Sequence, residues 1–503
     1  MMQTNQCKVG QRCPQRAANS PKQTQPENSH VDLNHHATAR WGQRRPTVPM
    51  ACIFKFLLAF AVIAFEASAM AQANSSARFR LITLDPGHFH AALVQKFMYA
   101  DVDPDVNVFA PAGDDLQEYL NRILSYNTRP DQPTHWREVV YTGADFFPQM
   151  LSRKPGNVVV LAGNNARKGD YILQSVKAGL NVLADKPMAI TPADFGKLQA
   201  AFAIAASNHV MLYDIMTERY EITTVLQKEL SQQPALFGKL LTGSMEGPAI
   251  TKESVHHFSK VVSGKPLKRP AWYFDVRQEG EGIVDVTTHL VDLVQWEAFP
   301  EQTLSPADVE MLNARRWFTW ITPAQFKQVT GLDSFPDFLQ SDVKNGALQV
   351  LANGEFTYRL KGIYAKVSVM WDFEAPPGAG DRHYSMMRGT KANLVIRQGP
   401  EQKFKPVLYV EKTPTADDAS FERLLKESID GLQKKYPGIG FRRDGQAWQV
   451  TVPEKYDVGH ESHFAAVTET FLGYLRAGKM PDWEVPNMIT KYATIMKAYE
   501  MSR

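Results

Sequence analysis

Arg78-Phe79-Arg80-Leu81-Ile82-Thr83-Leu84-Asp85-Pro86-Gly87-His88-Phe89-His90 reads as a short apolar strand and a tight turn, and residues 91–98 continue with helical composition. A strand, a turn and a helix in that order open a β-α-β unit. Where such a turn receives a dinucleotide it carries Gly-x-Gly-x-x-Gly, which lets backbone N–H groups approach the pyrophosphate at the helix start. Only Gly87 stands in a glycine place here; Asp85 and His90 take the outer two. The turn alone does not make a nucleotide site, so the segments that follow it decide the fold.

Expected strands at residues 106–110, 139–141, 158–162, 182–184 and 210–213 alternate with expected helices at 115–124, 146–152, 168–178 and 191–207. Alternation of this kind implies an α/β fold with a Rossmann-like, doubly wound parallel sheet over residues 78–212. Ligands on such sheets sit at the carboxyl ends of strands, where Gly87, Ala110-Pro111, Gly163-Asn164-Asn165 and Asp185-Lys186 all fall. Asp114 and Asp115 come a few residues late for a carboxylate that would take an adenine ribose, which leaves NAD versus NADP open.

Residues 213–503 change style. A helix at 220–231 and a strand opening at Phe237-Gly238-Lys239 begin an α+β domain. Alternating runs at 347–351, 356–360 and 365–370, with turn signals at Asn353-Gly354 and Pro376-Pro377-Gly378, give it an open, largely antiparallel sheet. Residues 300–345 and 413–458 read as insertions of low regularity, and 463–474 and 485–501 as helices. A sheet face left open suits a homo-oligomer.

Near the start of this domain stands Gly280-Glu281-Gly282-Ile283-Val284-Asp285-Val286-Thr287-Thr288-His289-Leu290-Val291-Asp292. On a helix Asp285 and His289, four apart, share a face, and a carboxylate beside an imidazole handles protons. About a hundred residues upstream, Val182-Leu183-Ala184-Asp185-Lys186-Pro187 puts a lysine at the end of a strand, and the two segments read as one site. Tyr273 and Arg277 precede the site stretch and want polar partners, which makes them candidate substrate binders; Trp272 beside them reads as core. His256 and His257 are adjacent on an expected strand, so they point to opposite faces and read as unrelated. His460 and His463 read as surface or packing residues, and no metal is required.

These motifs resemble the glucose-fructose oxidoreductase and inositol dehydrogenase (Gfo/Idh/MocA) family. Its Glu-Lys-Pro motif is matched by Asp185-Lys186-Pro187, and its Gly-Gly-x-x-x-Asp-x-Gly-x-His-x-x-Asp segment by Gly280, Gly282, Asp285, His289 and Asp292, with Thr287 where a glycine is usual. The resemblance implies a bound NAD or NADP, held by Gly87, His88, Phe89, Asn164, Asn165, Lys168, Asp185, Lys186 and Pro187. It implies Lys186, Asp285 and His289 as catalytic residues, with Tyr273, Arg277, Asp285 and His289 toward a sugar, polyol or glycoside. His289 would be the acid/base, Asp285 its orienter or a substrate-hydroxyl acceptor, and Lys186 the cation near the reacting carbon. Asp292 is open between a site role and a structural one. The changed first turn, and Gly163-Asn164-Asn165-Ala166-Arg167-Lys168 in place of Thr-Pro-Asn-x-x-His, suggest an outlying exported subgroup with a distinct C-terminal domain. Three activities follow: hydride transfer to NAD(P), glycoside cleavage by an enzyme that retains its NAD, and binding without turnover.

The 503-residue chain has a formal charge of +3, but residues 1–73 hold 8 Lys+Arg and 3 Asp+Glu, so the remainder carries 3 − 5 = −2. Such a body gives no reason to expect nucleic acid as a partner. Residues 1–49 read as a disordered extension or a mis-assigned start before Met50. Residues 50–73, with Lys55 ahead of an apolar run and small residues behind it, read as a signal peptide cut between Ala69 and Asn74. The Arg44-Arg45 pair leaves a twin-arginine route open. The expectation is a periplasmic or secreted protein with no stable membrane anchor after cleavage. Cys7, Cys13 and Cys52 all fall in the removable part, so the body has no disulfide or thiolate chemistry.

Overall fold

The structure, a computed structural model, describes residues 78–262, 265–414 and 417–503. The expected extension at 1–49 and signal peptide at 50–73 lie outside them. Six strands, β1 (Leu81–Leu84), β2 (Asp105–Phe109), β3 (Arg137–Tyr141), β4 (Val158–Leu161), β5 (Asn181–Asp185) and β6 (Leu212–Ile215), form one sheet in the order β3-β2-β1-β4-β5-β6. Every pairing is parallel. β1, β4 and β6 are buried at every position, as uniformly apolar strands covered on both faces should be. The strand order reverses between β1 and β4, and a ligand crevice opens at such a point.

One element of this half is shorter than its composition suggests. The helix after β1 covers only His90–Leu93. Tightened bonds from Gln95 N to Ala92 O and from Lys96 N to Leu93 O end it. The Gln95 side chain then turns inward to Glu138 at 2.9 Å and to Tyr119.

The second sheet contains β7 (Ile250–Ser259), β10 (Val309–Ile321), β11 (Val343–Lys344), β12 (Ala347–Leu360), β13 (Ile363–Glu374), β14 (Arg382–Arg388), β15 (Ala392–Gln398), β16 (Val407–Lys412), β17 (Gly440–Asp444) and β18 (Ala447–Thr451). The short β8 (Val261–Val262) and β9 (Lys265–Pro266) pair with each other outside it. Its order is β10-β12-β13-β7-β14-β15-β16-β18-β17, with β11 against β12. β13 and β7 run parallel and the remaining pairs antiparallel.

Three sequence expectations are corrected here. The strand expected at Phe237 begins only at Ile250, leaving isolated bridges such as Leu240 with Gly389 before it. Residues 300–345 hold the thirteen-residue β10, and 413–458 hold the helix Asp418–Leu432 and the β17–β18 hairpin. Asn353-Gly354 is the middle of β12, not a turn. A Cβ on Gly354 would lie 2.5 Å from that of Ile283, so the glycine lets the site segment rest on the strand.

The chain ends by returning to its beginning. From the helices His460–Ala477 and Glu484–Met501, Phe464, Phe471 and Tyr492 pack into the first core, while Ile495, Met496 and Tyr499 pack into the second. A buried ion network joins the same parts: Arg219 to Asp292 at 2.6 Å and Glu484 at 3.0 Å, and Lys491 to Asp214 at 2.6 Å and Asp292 at 3.1 Å. Asp292 is thereby committed to structure.

Candidate active site at the domain junction

β5 ends at Asp185, which carries Lys186 out of the sheet toward the second domain. There Gly280, with φ 101°, and Gly282 bring the chain against β12. A Cβ on Gly282 would sit 1.8 Å from the Ala352 carbonyl oxygen. Asp285 precedes the helix Thr287–Ala298, and its carboxylate pairs with the Lys186 ammonium from the other domain. Both groups are nearly buried. Burial opposes the charge on Lys186, but Asp285, with Asp185 and Glu279 behind it, outweighs burial and holds the ammonium protonated.

His289 lies one helical turn further on. Burial lowers its pKa to about 4, and its Nδ1 finds no hydrogen-bond partner among the described residues. Lys186, Glu218, Asp185 and His460 all act on it electrostatically. Near pH 7 it is a neutral imidazole, able to accept a proton.

On the nucleotide side, His90 Nδ1 lies 2.9 Å from Asp185 Oδ2, and His88 Nδ1 lies 3.7 Å from the same oxygen. Burial pushes both imidazoles well down, so they too are neutral. Their ligand atoms lie within 4.8 Å of one another, a spacing a metal ion could span. The ammonium of Lys168, bonded to the Asp185 carbonyl at 3.0 Å, that of Lys186 and the Arg269 guanidinium surround the group, and a divalent cation there would meet three positive neighbours. The arrangement suits an imidazole–carboxylate pair that steadies the end of β5.

Phe89 and Gly87 line a cleft of about 590 Å³ at the carboxyl end of β1, bounded on the far side by Arg269, Trp272 and Tyr273. Gly87 is required for space: a Cβ there would lie 2.9 Å from Asp115 and 3.2 Å from the Trp272 ring. Trp272, expected in the core, instead closes over this turn and donates from Nε1 to Asp115 at 2.7 Å. Tyr273 is buried, stacked 6.2 Å from the His88 ring with the Arg269 guanidinium 4.3 Å above its own ring.

Other expected residues serve the junction. Asn164 donates to Gln278 at 2.7 Å, and Asn165 bonds the Gln278 and Glu279 backbone, which ties the β4 turn to the site segment. Lys168 is buried at the carboxyl end of β5, where burial lowers it to about 8, and does not reach the cleft wall. Pro187 follows Lys186 into the junction. Arg277 is not brought to the site: it is half exposed and held by Asp275 and Asp342 on the outside. His256 and His257 are not unrelated. Asp381, opposite the strand end in the β7–β14 register, collects both rings at 3.4 and 3.0 Å, with Lys260 at 2.9 Å. Sequence reading passed over Glu218, which sits in no motif, and took His460 for a surface or packing residue.

Residues 226–503 match the family model described as "Putative oxidoreductase C terminal domain". The chain belongs to this oxidoreductase family. A "putative oxidoreductase" from Parabacteroides merdae is 56% identical, covering 85% of this chain and 98% of its own, with a TM-score of 0.83. Across the wider fold, levoglucosan dehydrogenase in complex with NADH and levoglucosan is 14% identical over 84% of this chain and 98% of that one (TM-score 0.53). A "putative oxidoreductase" from Erwinia carotovora is 12% identical over 85% and 99% (TM-score 0.54). The fold of this family member is thus the Gfo/Idh type, a parallel six-stranded sheet followed by a mixed, mostly antiparallel one. A comparison with curated proteins finds no match.

Proposed function

We propose that the chain is an NAD(P)-dependent oxidoreductase that oxidises a secondary alcohol of a sugar, polyol or glycoside, or reduces the matching ketone. The observation that carries this is the Lys186–Asp285 pair joined across the two domains, near a neutral His289 whose Nδ1 has no hydrogen-bond partner among the described residues. Levoglucosan dehydrogenase, which shares the fold, binds NADH and a sugar-derived substrate.

The β1 cleft offers a dinucleotide the tight turn at Gly87, positive charge from Arg122, Lys268 and Arg269 among the acids Asp85, Asp114 and Glu118, and the Asp115 carboxylate for a ribose hydroxyl. Bound there, the nicotinamide would exchange a hydride with the substrate carbon. The chain's own residues do the rest. His289 accepts the hydroxyl proton as the carbonyl forms, and the Lys186 ammonium stabilises the oxygen while it carries negative charge. Asp285 holds Lys186 charged and in place. His88, His90 and Asp185 fix the end of the strand that presents it. The four-residue helix after β1 has little dipole to offer, so the cations across the cleft take over that work. The apolar run and small residues at 50–73 support export before this chemistry begins.

The test is direct. Denaturing purified protein and reading the supernatant near 260 and 340 nm should show NAD(P) carried from the cell or, after loading, bound stoichiometrically. Protein that neither carries nor takes up a nicotinamide dinucleotide is not this enzyme.

A further inference from the structure

One carboxylate near the candidate site has no role in the account above. Glu218 lies on the short 3-10 turn Thr217–Tyr220, which follows β6 much as Lys186 follows β5; the two strands are neighbours, with Asp185 beside Ile215. Its neighbour Arg219 anchors the turn by bonding Asp292 at 2.6 and 2.7 Å and Glu484 at 3.0 Å. Glu218 stays outside that network. Its side chain is 32% exposed, and among the described residues its ion-pair contact is His460 Nδ1, at 3.4 Å. His460 opens the helix His460–Ala477, is 47% exposed, and holds its ring 6.2 Å from that of His90. The Glu218 carboxylate also acts electrostatically on His289, on His383 from β14 and on His463. One anionic group, partly open to solvent, therefore acts on four imidazoles, the proton-accepting one among them.

A packing role does not explain this. Structural acids such as Glu297 and Glu484 are sealed and paired, by Lys252 and by Arg219. Glu218 has no lysine or arginine partner among the described residues. A carboxylate offers only acceptors, and neutral imidazoles can donate or accept. A ring of hydroxyls supplies the donors that Glu218 lacks and partners for His460.

We propose that Glu218, presented together with His460, binds hydroxyl groups of the substrate and selects an uncharged sugar ring over a sugar acid. The inference rests on the oxidoreductase reading and adds the substrate class to it. A uronate would carry a second carboxylate toward Glu218. The cations that could offset it, Lys186 and Lys260, are already occupied by Asp285 and Asp381. Like charges drawn together in a partly dehydrated site repel.

The experiment uses the full chain, NAD(P)+, and a panel of methyl D-glycopyranosides paired with their 6-carboxylates, followed by absorbance at 340 nm. The neutral member of each oxidised pair should be preferred. Glu218→Gln should raise its KM by about ten-fold or more, the effect of losing a charge-assisted hydrogen bond. kcat should change far less, and discrimination against the acid should narrow. His460→Gln, at an exposed helix start, should move KM in the same direction and stands in if Glu218→Gln does not fold. Preference for the acids, or unchanged KM in both variants, overturns the assignment and leaves the oxidoreductase reading in place. Absence of any bound or exchangeable dinucleotide overturns that reading first, and this assignment with it.

Discussion

At the scale of single residues, the site depends on charges buried in pairs. Removing one member of such a pair leaves the other dehydrated and uncompensated, at a cost of about 3–5 kcal/mol. Lys186→Met should therefore lower the melting temperature, and the double variant Lys186→Met with Asp285→Asn should recover part of that loss while both remain inactive. Thermal unfolding of the three proteins checks this; a single variant as stable as the parent would contradict the pairing. His289→Gln should cost about 10²–10⁴-fold in kcat with stability preserved, the usual span for a lost acid/base group. Histidines also set the acid limit. His289, His383 and His463 are held at about 4 by burial, below the ordinary 6.5. Between those values the unfolded chain binds more protons, so stability is complete above about pH 6.5 and falls as the pH drops toward 4. Carboxyls raised by burial, such as Glu279 and Asp115, act in the opposite sense between their ordinary and their raised values and offset part of this loss, to which His88 and His90, also lowered by burial, add. Melting temperatures at pH 7.5 and 5.5 should thus differ, the lower pH giving the lower value. Lys186, Asp285 and His289 were singled out in the sequence because they stand in two motif segments, one ending a strand and one running into a helix, and the structure brings Lys186 and Asp285 together. Trp272 and Glu218 were not legible there, because their roles come from what the other domain places against them.

At the scale of elements, glycine positions explain how the site segment is seated. Gly282→Ala would drive a methyl group to 1.8 Å from the Ala352 carbonyl oxygen, so the segment and β12 must separate. A destabilisation above about 4 kcal/mol is expected, in the range reserved for such clashes. Gly196 makes the control: it is exposed within the helix Pro192–Ser207, and a Cβ there meets nothing within 4 Å. Gly196→Ala should stabilise by about 0.5–1 kcal/mol through helix propensity. Denaturant unfolding of the two variants separates the cases. The same close contact shows why Asn353-Gly354 misled: a glycine that makes room for a neighbour looks, in one dimension, like a turn. The alternation of the first sheet was legible because buried parallel strands are uniformly apolar. β10 was not, because register shifts after Met311 and Trp317 break its period of two.

At the scale of the whole molecule, the two halves share one ending. The helix Glu484–Met501 supplies Tyr492 to the first core and Tyr499 to the second, while Glu484 and Lys491 neutralise Arg219, Asp214 and Asp292 where the halves meet. A sequence boundary at residue 212 falls inside β6 and assigns these helices to one side only, since nothing local in them states which sheet they cover. The physical consequence is that neither half closes its core without the last 44 residues, 460–503. A chain ending at residue 459 should lose the cover over β6, strand Asp214 without its lysine and leave Arg219 and Asp292 with only each other, a combination larger than the usual 5–15 kcal/mol of net stability. It should collect in the insoluble fraction or show no cooperative melting. A chain beginning at residue 74 keeps every contact described here and should melt as the longer one does. Cooperative unfolding of the truncated 74–459 chain, with a dinucleotide still bound, would show that the nucleotide half closes by itself and that the returning helices only decorate it.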